Sequence, residues 1–252
     1  FMSKIKGFTA RKIVITGVLG AISAVLGLTP LGFIPVGVTR ATIMHIPVII
    51  GAITEGPTVG GLVGLIFGLF SIFQAIANPT PVSFVFLNPI ISVLPRILIG
   101  ITSYYTYIGF KKLGEKASRR VLYFLWSIIL IYLIVSFTNG IKNSNSGWIL
   151  VFNIVLILLT LFMGYYSHKH LKRNGIELVM AAAVGTLTNT VGVMSGIYWI
   201  YGEEFVQKAG ISSTAIGKAI VGIGVANGIP EIIVAIIITT SVIASLNKKG
   251  SL

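Results

Sequence analysis

The sequence predicts an all-α polytopic membrane protein with about eight spans. Three observations predict it. Of 252 residues, 55% are hydrophobic and only 10% charged, with a mean hydropathy of +0.96. A soluble domain carries about 25% charged residues, so this chain cannot cover a solvated surface. Apolar stretches near the length that crosses a bilayer, about 20 residues, recur from one end of the chain to the other. The basic residues between those stretches collect on one side of the alternation. The chain also has no cysteine, which excludes disulfides, thiolate metal sites and cysteine nucleophiles.

The first apolar stretch covers 11–28. A basic segment precedes it, as in a signal peptide. The apolar run continues to Gly27-Leu28 with no A-x-A cleavage site, so a retained helix is predicted. The second stretch, 42–54, is short and carries Pro47, and a re-entrant segment is its rival reading. Glu55-Gly56-Pro57 is a tight-turn signal leading into the third, 57–76. The fourth covers 88–110. The fifth and sixth, 121–138 and 148–166, flank the polar loop Asn143-Ser-Asn-Ser-Gly147. The seventh covers 178–201. The eighth, 214–246, is long for a single span, and Gly228 and Pro230 in its middle predict a kink or break.

Lys/Arg bias in short loops sets orientation. With eight spans, one side receives Lys4, Lys6, Arg11 and Lys12, then Lys111, Lys112, Lys116, Arg119 and Arg120, then Lys169, Lys172 and Arg173, then Lys248 and Lys249. That is 14 of the 19 basic residues, against Arg40, Lys142 and Lys208 on the other side. The net charge of +13 would suggest nucleic acid or an acidic partner in a soluble protein. Here it reads as topology: a multi-pass protein of the plasma membrane with both termini cytoplasmic and no nucleic-acid partner. Losing one span would scramble the alternation, so the count argues that the second segment crosses.

Ionisable and amide groups inside spans are costly, and are functional candidates for that reason. The topology assigns their depth. Arg40 and His45 lie shallow on the outer side of the second segment. Asn78 sits in the uncharged outer loop Ala77-Asn78-Pro79-Thr80-Pro81. Asn88 is near the outer surface, with Arg96 about two turns deeper. Asn189 is near mid-depth and Tyr198 near the outer rim. Lys218 is shallow, Asn227 deeper and Glu231 deeper still. These groups can converge on a pocket open to the exterior. Plainer readings stand beside them. Arg96 and Glu231 can neutralise one another as a structural pair. Tyr198, Trp199 and Tyr201 can form an interfacial belt. His45 can be a hydrogen-bonded packing residue, and Lys218 can snorkel to the interface. Asn189 and Asn227 are the stronger candidates, because an amide in mid-membrane requires a partner.

The three histidines are too scattered for a metal site. There is no G-x-x-x-x-G-K-[ST], so the chain itself is expected to hydrolyse no ATP. Nor is there an H-E-x-x-H or a G-x-S-x-G; no enzyme activity and no cofactor are expected. Small residues at four-residue spacing recur as Gly17/Ala21 and Gly20/Ala24 in the first helix and as Gly60/Gly64/Gly68 in the third. Such spacing lets backbones approach closely in lipid. In the third helix it reads as internal packing. In the first it reads as packing or as a docking face for another membrane subunit.

Ala41-Thr-Ile-Met-His-Ile-Pro-Val-Ile-Ile-Gly-Ala-Ile-Thr-Glu-Gly-Pro57, followed by Gly60-Gly-Leu-Val-Gly-Leu-Ile-Phe-Gly68, resembles helices 2 and 3 of S components, the substrate-binding membrane subunits of energy-coupling factor (ECF) transporters. Leu94-Pro-Arg-Ile-Leu-Ile-Gly100 resembles their helix 4. Asn189-Thr190 and Asn227-Gly-Ile-Pro-Glu231 resemble their last two helices. The resemblance covers about 1–112 and 177–250, and is strongest to the subgroup containing the pantothenate S component. It implies a prokaryotic protein with a six-helix core that binds a small vitamin from outside with very high affinity. Its implied partners are a membrane T component and two ATPase subunits that hydrolyse the ATP, the S component reorienting in the bilayer to deliver the ligand. The docking surface would be Gly17, Gly20, Ala21 and Ala24.

Members of the family usually have six spans. The resemblance therefore implies a single membrane domain over 1–252, with a core of 8–112 and 177–247 and an inserted helical hairpin over 118–170. The ligand residues it implies are Arg40, Asn78, Arg96, Asn189, Asn227 and Glu231; His45, Asn88, Tyr198 and Lys218 complete the candidate set. For an anionic ligand such as pantothenate, Arg96 or Arg40 would hold the carboxylate, and the amides would take hydroxyl and amide groups. The alternative reading is a stand-alone secondary transporter of a small polar metabolite, coupled to protons through Glu231.

Overall fold

Each apolar segment of the sequence becomes helical in the computed structural model, which describes residues 9–36, 39–142, 147–170, 173–210 and 216–248. The helices are α1 (Ala10–Leu28), α2 (Ile46–Glu55), α3 (Pro57–Ala77), the single turn α4 (Pro89–Ser92), α5 (Leu94–Lys112), α6 (Glu115–Lys142), α7 (Gly147–His170), α8 (Arg173–Lys208) and α9 (Ile216–Lys248). Prolines mark four of the starts. Pro47, Pro57, Pro89 and Pro95 sit in the first turns of α2, α3, α4 and α5, where a missing N–H costs nothing and a fixed φ helps. Gly56 has φ 101°, a conformation that suits only glycine, and it lets α3 begin one residue after α2 ends. Five helices (α1, α3, α6, α8 and α9) contain stretches long and apolar enough to cross a bilayer. The chain is an all-α polytopic membrane protein, with one small exception.

The exception is a two-stranded hairpin between α1 and α2. β1 (Phe33–Val36) pairs antiparallel with β2 (Thr39–Thr42), Phe33 opposite Thr42 and Pro35 opposite Arg40. It changes the reading of the second segment. α2 has ten residues, about 15 Å of helix, which is half a bilayer core. Of the rest of that segment, Thr42 closes β2 and Met44-His45 form a turn that leads into the helix. Ser23 Oγ on α1 donates to the Met44 carbonyl at 2.5 Å. At the other end Arg11, at the start of α1, pairs with Glu55 at 2.8 Å. From Met44 to Glu55 the chain thus runs antiparallel to α1, as a turn and then a helix.

Two further expectations are corrected. α9 runs unbroken through Gly228 and Pro230, and the departure from helical geometry is in α8 instead, at Tyr201 (φ −133°, ψ 17°). On α1, Gly20 does not share a free face with Gly17 and Ala21. A Cβ added at Gly20 would meet Ile66 Cδ1 of α3 at 2.6 Å, whereas Gly17 has nothing within 4 Å. Three residues of helix turn through about 300°, so Gly20 falls with the buried Thr16, Ser23 and Gly27. Gly17 and Ala21 face outward and Ala24 is half-buried.

α5 lies between α3 and α8. Along α3, a Cβ added at Gly60 would lie 2.9 Å from Gly100 Cα, one at Gly64 would strike the Arg96 carbonyl, and one at Gly68 would lie 2.7 Å from Val93 Cα. The predicted packing stripe is therefore an antiparallel ladder of backbone against backbone. On the other side, Gly192 meets Pro95 and Gly196 meets Ile91, while Gly228 of α9 meets Thr190 of α8. α6 packs along α7 and reaches α8, and α7 reaches α9. Leu122, Trp126, Ile129 and Leu133 of α6 join Ile176, Val179 and Met180 of α8 in one apolar cluster.

Candidate functional site

Backbone chemistry at the α4–α5 junction places Arg96, the one arginine buried in the bundle interior among the described residues. In a continuous helix the Ile91 carbonyl would accept from the N–H of residue 95. Pro95 has none, so that carbonyl is left over. The Arg96 side chain turns back and its Nη1–H donates to it. Gly64 lets α3 press against the Arg96 backbone, which brings the guanidinium between two rings. Its Cζ lies 5.2 Å from the Phe67 centroid and 5.6 Å from that of Phe86, within the range of cation–π attraction. Arg96 is 5% exposed, and its Nε has no hydrogen-bond partner.

Glu231 is 4% exposed. Its Oε1 accepts the Thr42 backbone N–H at 2.7 Å and its Oε2 accepts the Thr190 hydroxyl at 3.3 Å. One carboxylate thus ties β2 to α8 and α9. Arg96 and Glu231 act on one another electrostatically but do not form an ion pair. The pairs among the described residues are Arg11–Glu55, Arg119–Glu115 and Lys208–Glu204.

His45 is fully buried. Its Nε2 lies 3.0 Å from Thr186 Oγ1, and the Thr186 hydroxyl donates to the Ala182 carbonyl at 2.9 Å. With that single hydrogen committed, Nε2 is the donor and the neutral ring keeps its free lone pair on Nδ1. Among the described residues Nδ1 has no partner, and neither does the buried Asn189 Oδ1. Thr186, Asn189 and Thr190 recur at i, i+3 and i+4, on one face of α8. The cluster therefore offers one unfilled donor and two unfilled acceptors, shut away from solvent. Each unfilled buried group costs about 1–3 kcal/mol, so a ligand that completes them gains correspondingly.

The remaining candidates lie elsewhere. Arg40 sits on β2, and its side chain lies outside the described residues. Asn78 is exposed and its N–H closes the last turn of α3. Asn88 caps α4, accepting the Ile90 N–H at 3.0 Å, and reaches Tyr201 OH at 3.5 Å. Tyr198 faces outward, edge-on to the exposed Trp199. Lys218 is exposed, and Asn227 is half-buried one turn before Glu231. Sequence reasoning did not assign roles to Phe67, Phe86, Thr186, Thr190 or the Thr42 N–H. Thr186 and Thr190 share a helix face with Asn189, but spacing alone does not show that a hydroxyl serves a neighbouring element. Above the cluster, Phe84 packs edge-on to Tyr201, and Lys208 Nζ lies 4.1 Å from the Phe84 centroid.

Three comparisons bear on what such a cluster serves. The sequence profile of the family described as ECF transporter, substrate-specific component, matches residues 11–152, from α1 through α6 into α7. The pantothenic acid transporter PanT of Lactococcus lactis is 24% identical over 209 residues, covering 83% of this chain and 79% of that protein. The pantothenate transporter PanT of Leuconostoc mesenteroides is 27% identical over 192 residues, covering 68% of this chain and 86% of that one. A buried polar cluster inside a helical membrane bundle, together with a profile match over more than half the chain, places the protein in a family of membrane transport proteins: the chain belongs to the substrate-specific components of ECF transporters.

Proposed function

We propose that the protein is the S component of an ATP-driven importer, binding a small anionic vitamin from outside the cell, with pantothenate as the first ligand to test. The observation that carries this reading is the Arg96 guanidinium, buried between Phe67 and Phe86 with Nε unfilled. A carboxylate is the natural complement of such a fork. Asn189 Oδ1 accepts the ligand's amide N–H and His45 Nδ1 accepts a hydroxyl. Glu231 holds the site together through Thr42 and Thr190. The names of the two bacterial relatives agree with this chemistry.

The basic segments of the sequence set both termini in the cytoplasm. The outward face Gly17/Ala21/Ala24 then serves as the docking surface for a membrane T component, which with two ATPase subunits drives release. Small residues suit close helix contact in lipid, and Gly17 has open space in front of it. The test is mass spectrometry of small molecules extracted from the purified protein, with titration of pantothenate. Pantothenate recovered near one per chain, and lost in Arg96→Gln, supports the reading. A protein that holds no vitamin and co-purifies with no T component overturns it. Uptake into proteoliposomes driven by a pH gradient without ATPases would replace it with the proton-coupled alternative.

A further inference from the structure

Only two residues, Leu113 and Gly114, separate α5 from α6. The first turns of α6 then present Lys116, Arg120 and Phe124 at four-residue spacing, with Ala117 and Val121 beside them on the same face. Two open hollows lie among these side chains, about 640 Å³ around Lys116 and Arg120 and about 320 Å³ around Ala117, Arg120, Val121 and Phe124. They share Ala117 and Arg120 and form one shallow, open groove along the surface of α6 alone.

The cations of this groove are unequally committed. Glu115 holds Arg119 at 2.7 Å. That neutralises the one carboxylate lining the groove. Lys116 and Arg120 are exposed, and no acidic group among the described residues pairs with either. One turn farther along α6 the groove becomes apolar, with Val121 and the 67% exposed ring of Phe124. A soluble anion would leave that half unused, and a hydrocarbon would leave the cations unused.

We infer that the groove binds an anionic phospholipid, its phosphate oxygens accepting from Lys116 and Arg120 and its first acyl carbons lying along Val121 and Phe124. The leaflet it comes from follows the orientation proposed above, but the binding itself does not depend on it. The groove shares no residue with the Arg96 cluster.

The experiment uses the purified full chain, native mass spectrometry, and phosphatidylglycerol against phosphatidylcholine of identical chains. The protein retains phosphatidylglycerol preferentially. Each cation near a membrane surface contributes about 5-fold, so Lys116→Ala or Arg120→Ala lowers that preference about 5-fold and the double variant about 30-fold. Lys142→Ala, at the other end of α6, leaves it unchanged. Phe124→Ala weakens retention of both lipids, and glycerol phosphate does not displace the bound lipid. Equal retention of the two lipids by the unaltered protein, an undiminished preference in the double variant, or displacement by glycerol phosphate overturns the inference. Should the double variant fail to fold, salt provides the second readout on the unaltered protein. Raising it from about 0.1 M to about 1 M must weaken phosphatidylglycerol but not phosphatidylcholine. Pantothenate is titrated into the same samples. Lost lipid preference with pantothenate retained overturns this site alone, and the converse overturns the vitamin reading alone.

Discussion

Two antiparallel helix pairs in this bundle are built on opposite plans. α3 and α5 meet backbone to backbone, Gly60 against Gly100 and Gly64 against Arg96. α6 and α7 meet through large side chains, and the α7 glycines Gly147 and Gly164 have nothing within 4 Å. The first plan holds α5 in one position, and so fixes where Arg96 sits between Phe67 and Phe86. The second leaves slack that side chains can absorb. The buried polar cluster takes its hydrogen bonds from β2, α5, α8 and α9 and from the His45 turn. Among the described residues, none of those bonds comes from the α6–α7 hairpin. Precision is concentrated where the polar groups are.

The largest effect follows from reversing the charge at the centre of the precise region. Arg96→Glu puts an acid between two aromatic rings and opposite the ligand's carboxylate. Leaving a buried charge uncompensated costs about 3–5 kcal/mol, so pantothenate affinity falls at least about 100-fold. Arg120→Glu in the hairpin leaves it unchanged. Calorimetric titration of both variants decides the matter, and unchanged binding in Arg96→Glu would make Arg96 a structural residue and Arg40 or Lys218 the next carboxylate partner to test.

A glycine in each pair tests the packing contrast itself. In Gly64→Leu the new Cβ meets the Arg96 carbonyl, which cannot rotate away. Overpacking of this kind costs about 3 kcal/mol, read as a lowered thermal midpoint in detergent. Gly164→Leu meets open space and shifts stability by less than about 0.5 kcal/mol. Equal shifts in the two variants would show that the α3–α5 ladder is no tighter than the hairpin seam.

This contrast also explains what could be read from the sequence. Arg96, Asn189 and Glu231 stood out because charges and amides are conspicuous in apolar segments. The Gly60/Gly64/Gly68 stripe was legible because a helix repeats its face every three or four residues. Thr186 and Thr190 were not legible. Thr186 donates to a carbonyl four residues earlier, and Thr190 shares its one hydrogen between such a carbonyl and Glu231 Oε2, so a threonine in a membrane helix looks self-sufficient whether or not it also serves a neighbour. The Thr42 N–H that holds Glu231 could not be seen at all, since every non-proline residue has one. The β1–β2 hairpin was hidden for a related reason. Strands of four residues are too short for period-two alternation to stand out, and a helix-length rule applied to 42–54 counted the turn at Met44-His45 as helix. Gly20 was misassigned because spacing gives relative phase, and the phase of a whole helix needs a neighbour.

A smaller effect separates hydroxyls that serve the cluster from those that do not. Thr190→Val removes the donor to Glu231 Oε2 and keeps the Thr42 N–H on Oε1. One hydrogen bond is worth about 1 kcal/mol, so affinity falls about 5-fold while the fold survives. Thr160→Val in α7 removes a hydroxyl bonded only to the Leu156 carbonyl of its own helix, and affinity holds. Equal losses in both would mean that the hairpin is coupled to the site.

The smallest effect on binding comes from the largest alteration. Joining Leu113 to Arg173 through a short Gly/Ser linker removes α6 and α7 entirely. The apolar cluster of α8 and α9 that Leu122, Trp126 and Ile129 cover would then face lipid tails, which are as apolar as the side chains removed. Glu177, buried near the start of α8, would gain access to the headgroup region and to water, where a carboxylate is tolerated. Sites with no shared partner are energetically independent to within about 0.5 kcal/mol, so pantothenate affinity should stay within about 2-fold. Size-exclusion chromatography shows whether the shortened chain is monodisperse, and titration then reads the site. A monodisperse chain that no longer binds would make the hairpin part of the binding unit, because it would mean that α8 holds Thr186, Asn189 and Thr190 in register only while α6 braces its other face.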